Sequence, residues 1–267
     1  KFIPIVHRKH FDKLFSCKLN THGVGKTPNG YLVYDVNYGL TSGDMDTALI
    51  GCLMMSALLY VYKEQRRVEV EVLDMGDDSV VILEQEDLDK FSWGLRDWFL
   101  IMGFDMKIDK VCYEMEHIRF CQCAPLNLGN VTLMVRAFPN AWTKDVCTLL
   151  PIKDEKTFQR WLTTVGQGGV AWMGCVPIYG AFYRSLLFDV DPIQHPLLEN
   201  GSKVYWCKDL NMSHYPLTAA ARVSFHLAFG IPPDEQIAIE RSFSVPTYTV
   251  PLPGTDNFGF DFYDGEC

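Results

Sequence analysis

Apolar and polar positions change period several times along the chain, and each change predicts an element. Between His10 and Leu19, Phe11, Leu14, Phe15 and Leu19 recur at helical spacing. The segment NTHGVGKTPNG that follows is rich in Gly, Pro and Asn and reads as a loop. YLVYDVNYG, ending at Gly39, alternates and predicts a strand. After the loop TSGDMD, an apolar run starts near Asp46 and continues to about Tyr62. It is apolar on all sides, which predicts a buried core helix. Val68 to Met75 and Ser79 to Leu83 then alternate around Gly76-Asp77, the pattern of a hairpin with a tight connection. Asp87 is placed to cap a helix whose Leu88, Phe91, Leu95, Trp98, Phe99 and Met102 form one stripe, closed by Gly103. FDMKIDKVCYEM and HIRFCQCAPL read as two further strands.

Beyond about Pro125 the pattern becomes helical. Asp154 opens a helix with Phe158, Trp161, Leu162 and Val165 inward, which Gly166 and the following Gly-Gly pair are expected to stop. Pro177 stands in the first turn of the next, carrying Ile178, Phe182, Tyr183 and Leu186. Thr218 starts a third helix, ended by GIPP, and Pro233-Asp234 opens a short fourth. From Val245 onward the chain has Pro, Gly and aromatics without period. The fold class predicted is α+β: strands and packed helices first, a mostly helical part second, with the seam near Pro125 to Arg136.

Composition narrows this picture. The 267 residues are 48% hydrophobic, enough for a sizeable core. The apolar run Ala48 to Tyr62 falls short of the ~18 residues of a membrane span and carries Gly51 and Ser56, so no transmembrane segment is expected. A net charge of -9 argues against a protein that coats nucleic acid. The charge is uneven, though. Lys1, Arg8, Lys9, Lys13, Lys18 and Lys26 face only Asp12 in the first thirty residues, so a local basic face can still track phosphates. The nine cysteines read as reduced, cytosolic thiols. Cys112, His117, Cys121 and Cys123 are soft ligands, but not in the paired spacing of a zinc knuckle, and buried structural cysteines are the preferred reading. No secretory signal opens the chain, which begins at Lys1 in mid-pattern and reads as a piece of something longer.

The chemistry-bearing feature is the hairpin tip, Gly76-Asp77-Asp78. Alone it serves turn geometry as readily as catalysis. It has company: Ser42 and Gly43 upstream, with Asp46 and Thr47 at the mouth of the apolar helix; Lys107 downstream; then Phe120-Cys121-Gln122 with Pro125, and Met134-Val135-Arg136. That order resembles the second half of the palm of viral RNA-dependent RNA polymerases, in particular those of tombusvirus-like plus-strand RNA viruses. Leu149 to Pro151, Gly166 to Gly169 and the run ending at Arg184 are also family-like. The likeness covers about residues 30 to 190.

The resemblance implies a right-hand polymerase palm over residues 30–126, preceded by a fingers/palm helix and connecting loop over 1–29 and followed by a helical thumb over 127–267. It implies nucleotidyl transfer with two Mg²⁺ ions, or Mn²⁺ in their place, held in part by Asp77 and Asp78. Ser42 and Gly43 would touch template or the incoming sugar, Asp46 and Thr47 the ribose, and Lys107 would pass a proton to pyrophosphate. Plainer readings stand beside these: Ser42 or Thr47 as helix caps, Lys107 as a strand-end lysine, Arg136 and Arg184 as salt-bridge partners rather than contacts to the product backbone. Implied partners are an RNA template and product and nucleoside triphosphates. The implied location is the host cytoplasm, at replication complexes.

Four departures qualify the likeness. Leu40 stands where the family carries Arg, two residues before Ser42, and Gly51 replaces the Asn that helps tell ribose from deoxyribose. The upstream strand with Asp-x4/5-Asp, whose first Asp shares the metals, is missing, as is the basic fingers motif. Only DNFGFD, Asp256 to Asp261, has the first spacing, and no apolar strand precedes it. The chain is therefore expected to need an upstream fingers-palm segment, in the same polypeptide or a second one, as in some fungal viruses resembling narnaviruses. Two rivals remain: a non-catalytic, polymerase-derived RNA-binding or assembly subunit, and an unrelated metal-dependent hydrolase using Asp74, Asp77 and Asp78.

Overall fold

The computed structural model describes residues 20–37, 46–129, 131–137, 140–148, 154–192 and 215–243, with isolated positions elsewhere, Gly43 among them. Most of the helix expected over 10–19, the segment Leu149 to Pro151 and the DNFGFD stretch lie outside the described residues. Helix and strand are mixed, and the chain divides into two compact units, Lys1–Asp109 and Lys110–Cys267.

In the first unit, β1 (Asn20–Thr27) pairs antiparallel with β2 (Gly30–Asn37) around Pro28-Asn29. The expected loop over NTHGVGKTPNG is thus a strand and a two-residue turn. Its glycines suggested a loop, but Gly23 stands opposite Tyr34, whose ring fills the space a Cβ would need. An alternating strand such as β2 also leaves backbone donors and acceptors that call for a partner strand.

Helix α1 spans Thr47–Arg66 and ends at Arg67, which takes a left-handed φ of 52°. By length and composition it is apolar enough to cross a membrane. It is not buried all round, as its composition predicted. Met55, Leu59 and Tyr62, spaced i, i+4, i+7, form one buried stripe, while Leu49, Leu53, Met54, Tyr60 and Val61 are exposed. The reason is geometric: within this unit, described elements cover only one side of the helix. There the Tyr62 hydroxyl donates to the Phe91 carbonyl at 2.7 Å, and its ring meets Phe91 and Trp98 edge-on.

Strands β3 (Glu71–Met75) and β4 (Asp78–Ile82) form the predicted hairpin, closed by the pair Met75 and Asp78. The single stripe predicted after Asp87 is carried by two helices, α2 (Leu88–Ser92) and α3 (Leu95–Ile101). They part at Gly94, whose φ is +69°, and Phe91, Leu95 and Phe99 still reach the same core. Residues 104–115, expected as a strand, pair with no described strand, and Met115–His117 form a 3-10 turn. Phe104 and Met106 do pack on the core. Alternation reports which side chains face inward, whereas a strand also needs a backbone partner.

In the second unit, β5 (Cys123–Asn127) pairs antiparallel with β6 (Thr132–Arg136). Helices α4 (Asn140–Asp145), α5 (Glu155–Met173), α6 (Tyr179–Ser185), α7 (Ala219–Phe229) and α8 (Pro233–Ser242) follow. Asp154 caps α5 by accepting from the Thr157 N–H at 2.8 Å, and Thr218 caps α7 through the Ala221 N–H at 3.0 Å. The core joins Leu126, Val135, Trp161, Leu162, Tyr179, Tyr183 and Phe225.

The expected stop at Gly166 does not occur; α5 runs through its glycines to Met173. A Cβ on Gly166 would lie 2.8 Å from the Tyr183 carbonyl oxygen, and one on Gly169 would lie 2.0 Å from the Tyr183 ring. Glycine here permits contact rather than a turn. Its helix-propensity cost, ~1 kcal/mol per residue, is offset by the close approach of α6. Replacing Gly169 with Ala forces the buried Tyr183 ring aside. Thermal unfolding of Gly169→Ala is therefore expected to show a loss of about 1–3 kcal/mol despite the better helix former.

Candidate functional site

The hairpin turn and the start of α1 meet glycine to glycine. A Cβ on Gly51 would lie 3.5 Å from the Cα of Gly76, and one on Gly76 would lie 3.8 Å from Gly51. Gly76 has a φ of +84° and Asp77 does not share that sign, the pattern of a type II′ connection. Thr47 is one helical turn before Gly51 and so shares the face that meets the hairpin. Asp46 precedes it at the helix mouth. Its carbonyl accepts from the Ile50 N–H at 2.8 Å, and its side chain caps nothing. Gly43 is exposed, with a φ of +92° and open space where a Cβ would stand. Ser42 lies outside the described residues.

Asp77 and Asp78 are both exposed. Among the described residues, neither side chain makes a hydrogen bond or ion pair. Asp74 differs: it is half-buried, and its carboxylate accepts from the Ser56 hydroxyl at 2.7 Å, the Gly76 N–H at 2.9 Å and the Ser79 hydroxyl at 3.3 Å. Those donors occupy it, which counts against the hydrolase reading with Asp74 as third ligand. Among the described residues, no three His, Cys, Asp or Glu side chains converge as metal ligands would. The Cys112 thiol reaches the His117 carbonyl at 3.3 Å rather than its ring, and the cysteines expected to be buried are not: Cys112 and Cys123 are half-buried and Cys121 is exposed. The geometry thus brings Asp77 and Asp78 together with the mouth of α1. Lys107 is exposed, within the segment that pairs with no strand, and contacts neither aspartate through a hydrogen bond or ion pair.

In the second unit, both arginines weighed as backbone contacts have protein partners. Arg136 pairs with Asp145 at 2.8 Å, and Arg184 donates to the Gly174 carbonyl at 2.8 Å. The Tyr183 hydroxyl also donates to Asp145, and the Tyr179 hydroxyl donates to the Arg136 carbonyl at 2.8 Å. Burial, reinforced by the negative charge of Asp145, pushes both phenols well above their ordinary range.

Two backbone features gave no signal in the sequence. Cys121 and Gln122 both have positive φ, 50° and 60°, and Phe120 and Cys123 bond each other both ways at 2.9 Å. This is a two-residue turn of the I′ kind built without glycine, whereas turn chemistry points to Asn-Gly or Gly-Gly. Ile178 has a φ of +63°, rare for a β-branched residue. It centres a γ-turn closed by the Tyr179 N–H on the Pro177 carbonyl at 2.6 Å, and Glu240 accepts its N–H at 2.9 Å.

Fold and site together define a mixed helix-and-strand protein whose first unit sets a Gly-Asp-Asp hairpin against the mouth of an apolar helix. Residues 5–249 match the sequence profile of a family described as viral RNA dependent RNA polymerase. The chain is 35% identical over 263 residues to the RNA-directed RNA polymerase of Oat chlorotic stunt virus, with 92% of this chain and 35% of the relative covered. It is 35% identical over 246 residues to the RNA-directed RNA polymerase of Pothos latent virus, covering 92% of this chain and 32% of the relative. For that of Tomato bushy stunt virus the identity is 32% over 234 residues, covering 87% and 28%. The chain belongs to the family of viral RNA-dependent RNA polymerases. It spans about a third of the length of the curated relatives it matches.

The glycine contact carries one expectation. A Gly51→Asn chain keeps ordinary van der Waals distance to Gly76 and should unfold within about 0.5 kcal/mol of the parent. Gly76→Ala, forced to a positive φ, should lose about 1–2 kcal/mol; denaturant titration compares the two. The buried phenols carry another. Their raised pKa values mean that the folded state keeps protons the unfolded state releases above the ordinary tyrosine value of 10.0. Stability is therefore fully present below pH 10 and falls as pH rises beyond it. In a spectrophotometric titration, Tyr179 and Tyr183 should ionise only with unfolding.

Proposed function

We propose that this chain carries out template-directed RNA synthesis as the palm and thumb part of a viral RNA polymerase. One observation carries the reading: a member of this family presents two carboxylates that no described residue engages, Asp77 and Asp78, at a tight turn beside a helix mouth. That donor set suits Mg²⁺ or Mn²⁺, which take hard oxygen ligands and few of them from protein. When bound there, the metal would supply activation of a 3′-hydroxyl and neutralisation of the leaving pyrophosphate. Asp46 and Thr47 orient the ribose of the incoming nucleotide, and Ser42 with Gly43 meets template or sugar. Lys107 delivers a proton to the leaving pyrophosphate oxygen.

Residues 30–126 act as palm, 127–267 as thumb, and 1–29 as their lead-in. The partners are an RNA template and product, nucleoside triphosphates, and an upstream fingers-palm segment or second polypeptide bearing the Asp-x4/5-Asp strand. The exposed Leu49, Leu53 and Met54 of α1, and Leu73 and Met75 of β3, support that partner. They are apolar surface that a joining segment would cover. The site of action is the host cytoplasm, at replication complexes.

Gly51 in place of the family Asn favours a second reading, a polymerase-derived subunit that binds RNA or assembles without catalysis. Primer extension with Mg²⁺, using this chain joined to an upstream fingers-palm segment, separates the two. Asp77→Ala should cut synthesis roughly 100-fold or more while RNA binding persists. Unchanged synthesis would establish the non-catalytic reading, and robust synthesis by the chain alone would remove the need for a partner.

A further inference from the structure

We propose that Asp74 is a positioning residue, clamping the Gly-Asp-Asp turn to α1 through Ser56 and Ser79 and so setting where Asp77 and Asp78 present their carboxylates. The inference rests on the reading of that turn as the metal-holding tip.

One carboxylate ties three pieces of chain together. Oδ1 accepts the Gly76 N–H at 2.9 Å, which fixes the turn onto the end of β3. The same oxygen accepts the Ser79 hydroxyl at 3.3 Å, from the residue paired with Asp74 across the hairpin. Oδ2 accepts the Ser56 hydroxyl of α1 at 2.7 Å. A serine inside a helix ordinarily returns its hydroxyl to the carbonyl four residues back. Ser56 directs it to Asp74 instead, from within a stretch of α1 that is otherwise almost entirely apolar. The turn needs such an anchor. Gly76 has no side chain to pack, and Asp77 and Asp78 are exposed with no described partner. Beyond the β3–β4 pairing, its orientation therefore depends on the glycine contact with Gly51, on the Cys52 thiol that donates to the Asp74 carbonyl at 3.9 Å, and on the clamp.

The donor pattern separates a clamp from a metal ligand. An amide at position 74 keeps an Oδ1 that accepts from both Gly76 and Ser79. Its NH₂ then donates to the Ser56 oxygen, which accepts as readily as it donates. Asp74→Asn thus keeps the clamp and removes the charge. Asp74→Ala removes both, and Ser56→Ala removes only the tether to α1.

The test uses two readouts on these three variants. Hydrogen exchange of the full chain reads the clamp: the Gly76 amide should exchange about tenfold faster in Asp74→Ala and near the parent rate in Asp74→Asn. Primer extension with Mg²⁺, by the chain joined to its upstream segment, reads the consequence. In Asp74→Ala, kcat should fall roughly 10- to 100-fold with little change in KM for nucleotide. Asp74→Asn should recover most of it, and Ser56→Ala should fall between. Unchanged Gly76 exchange in Asp74→Ala would overturn the clamp. So would a loss of kcat in Asp74→Asn as large as in Asp74→Ala, which would make the charge itself the working part. A parent that makes no RNA although its exchange pattern follows the clamp would overturn the polymerase reading and leave the clamp supported.

Discussion

The closest approach of α1 to the β3–β4 turn runs between two glycines, Gly51 and Gly76, and much of the first unit follows from it. A Cβ at Gly51 would still meet the turn at ordinary van der Waals distance, whereas at Gly76 the positive φ itself calls for glycine. The contact places the mouth of α1, with Asp46 and Thr47, on the flank of the turn that bears Asp77 and Asp78. Farther along the same helix, Met55, Leu59 and Tyr62 enter the core against Phe91, Leu95 and Phe99, so the helix that borders the site is anchored by the unit's main apolar cluster.

Close backbone approach recurs in the second unit, again through glycine. Gly166 and Gly169 of α5 let α6 settle onto the helix until the Tyr183 ring occupies the space that side chains would take. With Tyr183 held there, its hydroxyl reaches Asp145, which also pairs with Arg136 from β6. Glu240 of α8 joins Arg222 of α7 at 2.9 Å and holds the strained Ile178 amide. Several polar side chains of this unit are thus engaged in binding its elements to one another. Arg136 and Arg184, which look like candidates for gripping nucleic acid by residue type, are among them.

Much of the architecture was legible as periodicity. The predicted β3–β4 hairpin, α1, α7 and α8 all form, with caps at Thr218 and Asp154, because burial of one apolar face and satisfaction of terminal N–H groups are local demands. Two of the differences share a cause: NTHGVGKTPNG and the glycines of α5 read as loop and stop from what Gly does in an isolated chain. In the folded protein, Gly23, Gly166 and Gly169 admit the aromatic rings or backbone of another element. The expected strand over 104–115 failed for the complementary reason: alternation gives the faces but not the backbone partner. The stripe after Asp87 differs because its apolar spacing does not show the positive φ of Gly94 that parts α2 from α3.

The order and spacing of Ser42-Gly43, Thr47, Gly76-Asp77-Asp78, Lys107 and Phe120-Cys121-Gln122 already identified the family, since those side chains are written directly in the chain. The sequence also set which helices and strands the apolar pattern favours. Tertiary structure alone decided that Asp74 turns to Ser56 while Asp77 and Asp78 stay exposed, that Gly51 meets Gly76, and that only one stripe of α1 is buried. Carboxylates in a run of five residues are chemically alike until the fold supplies donors to one and solvent to the others. That choice depends on which distant residue arrives beside each, and no local pattern encodes it.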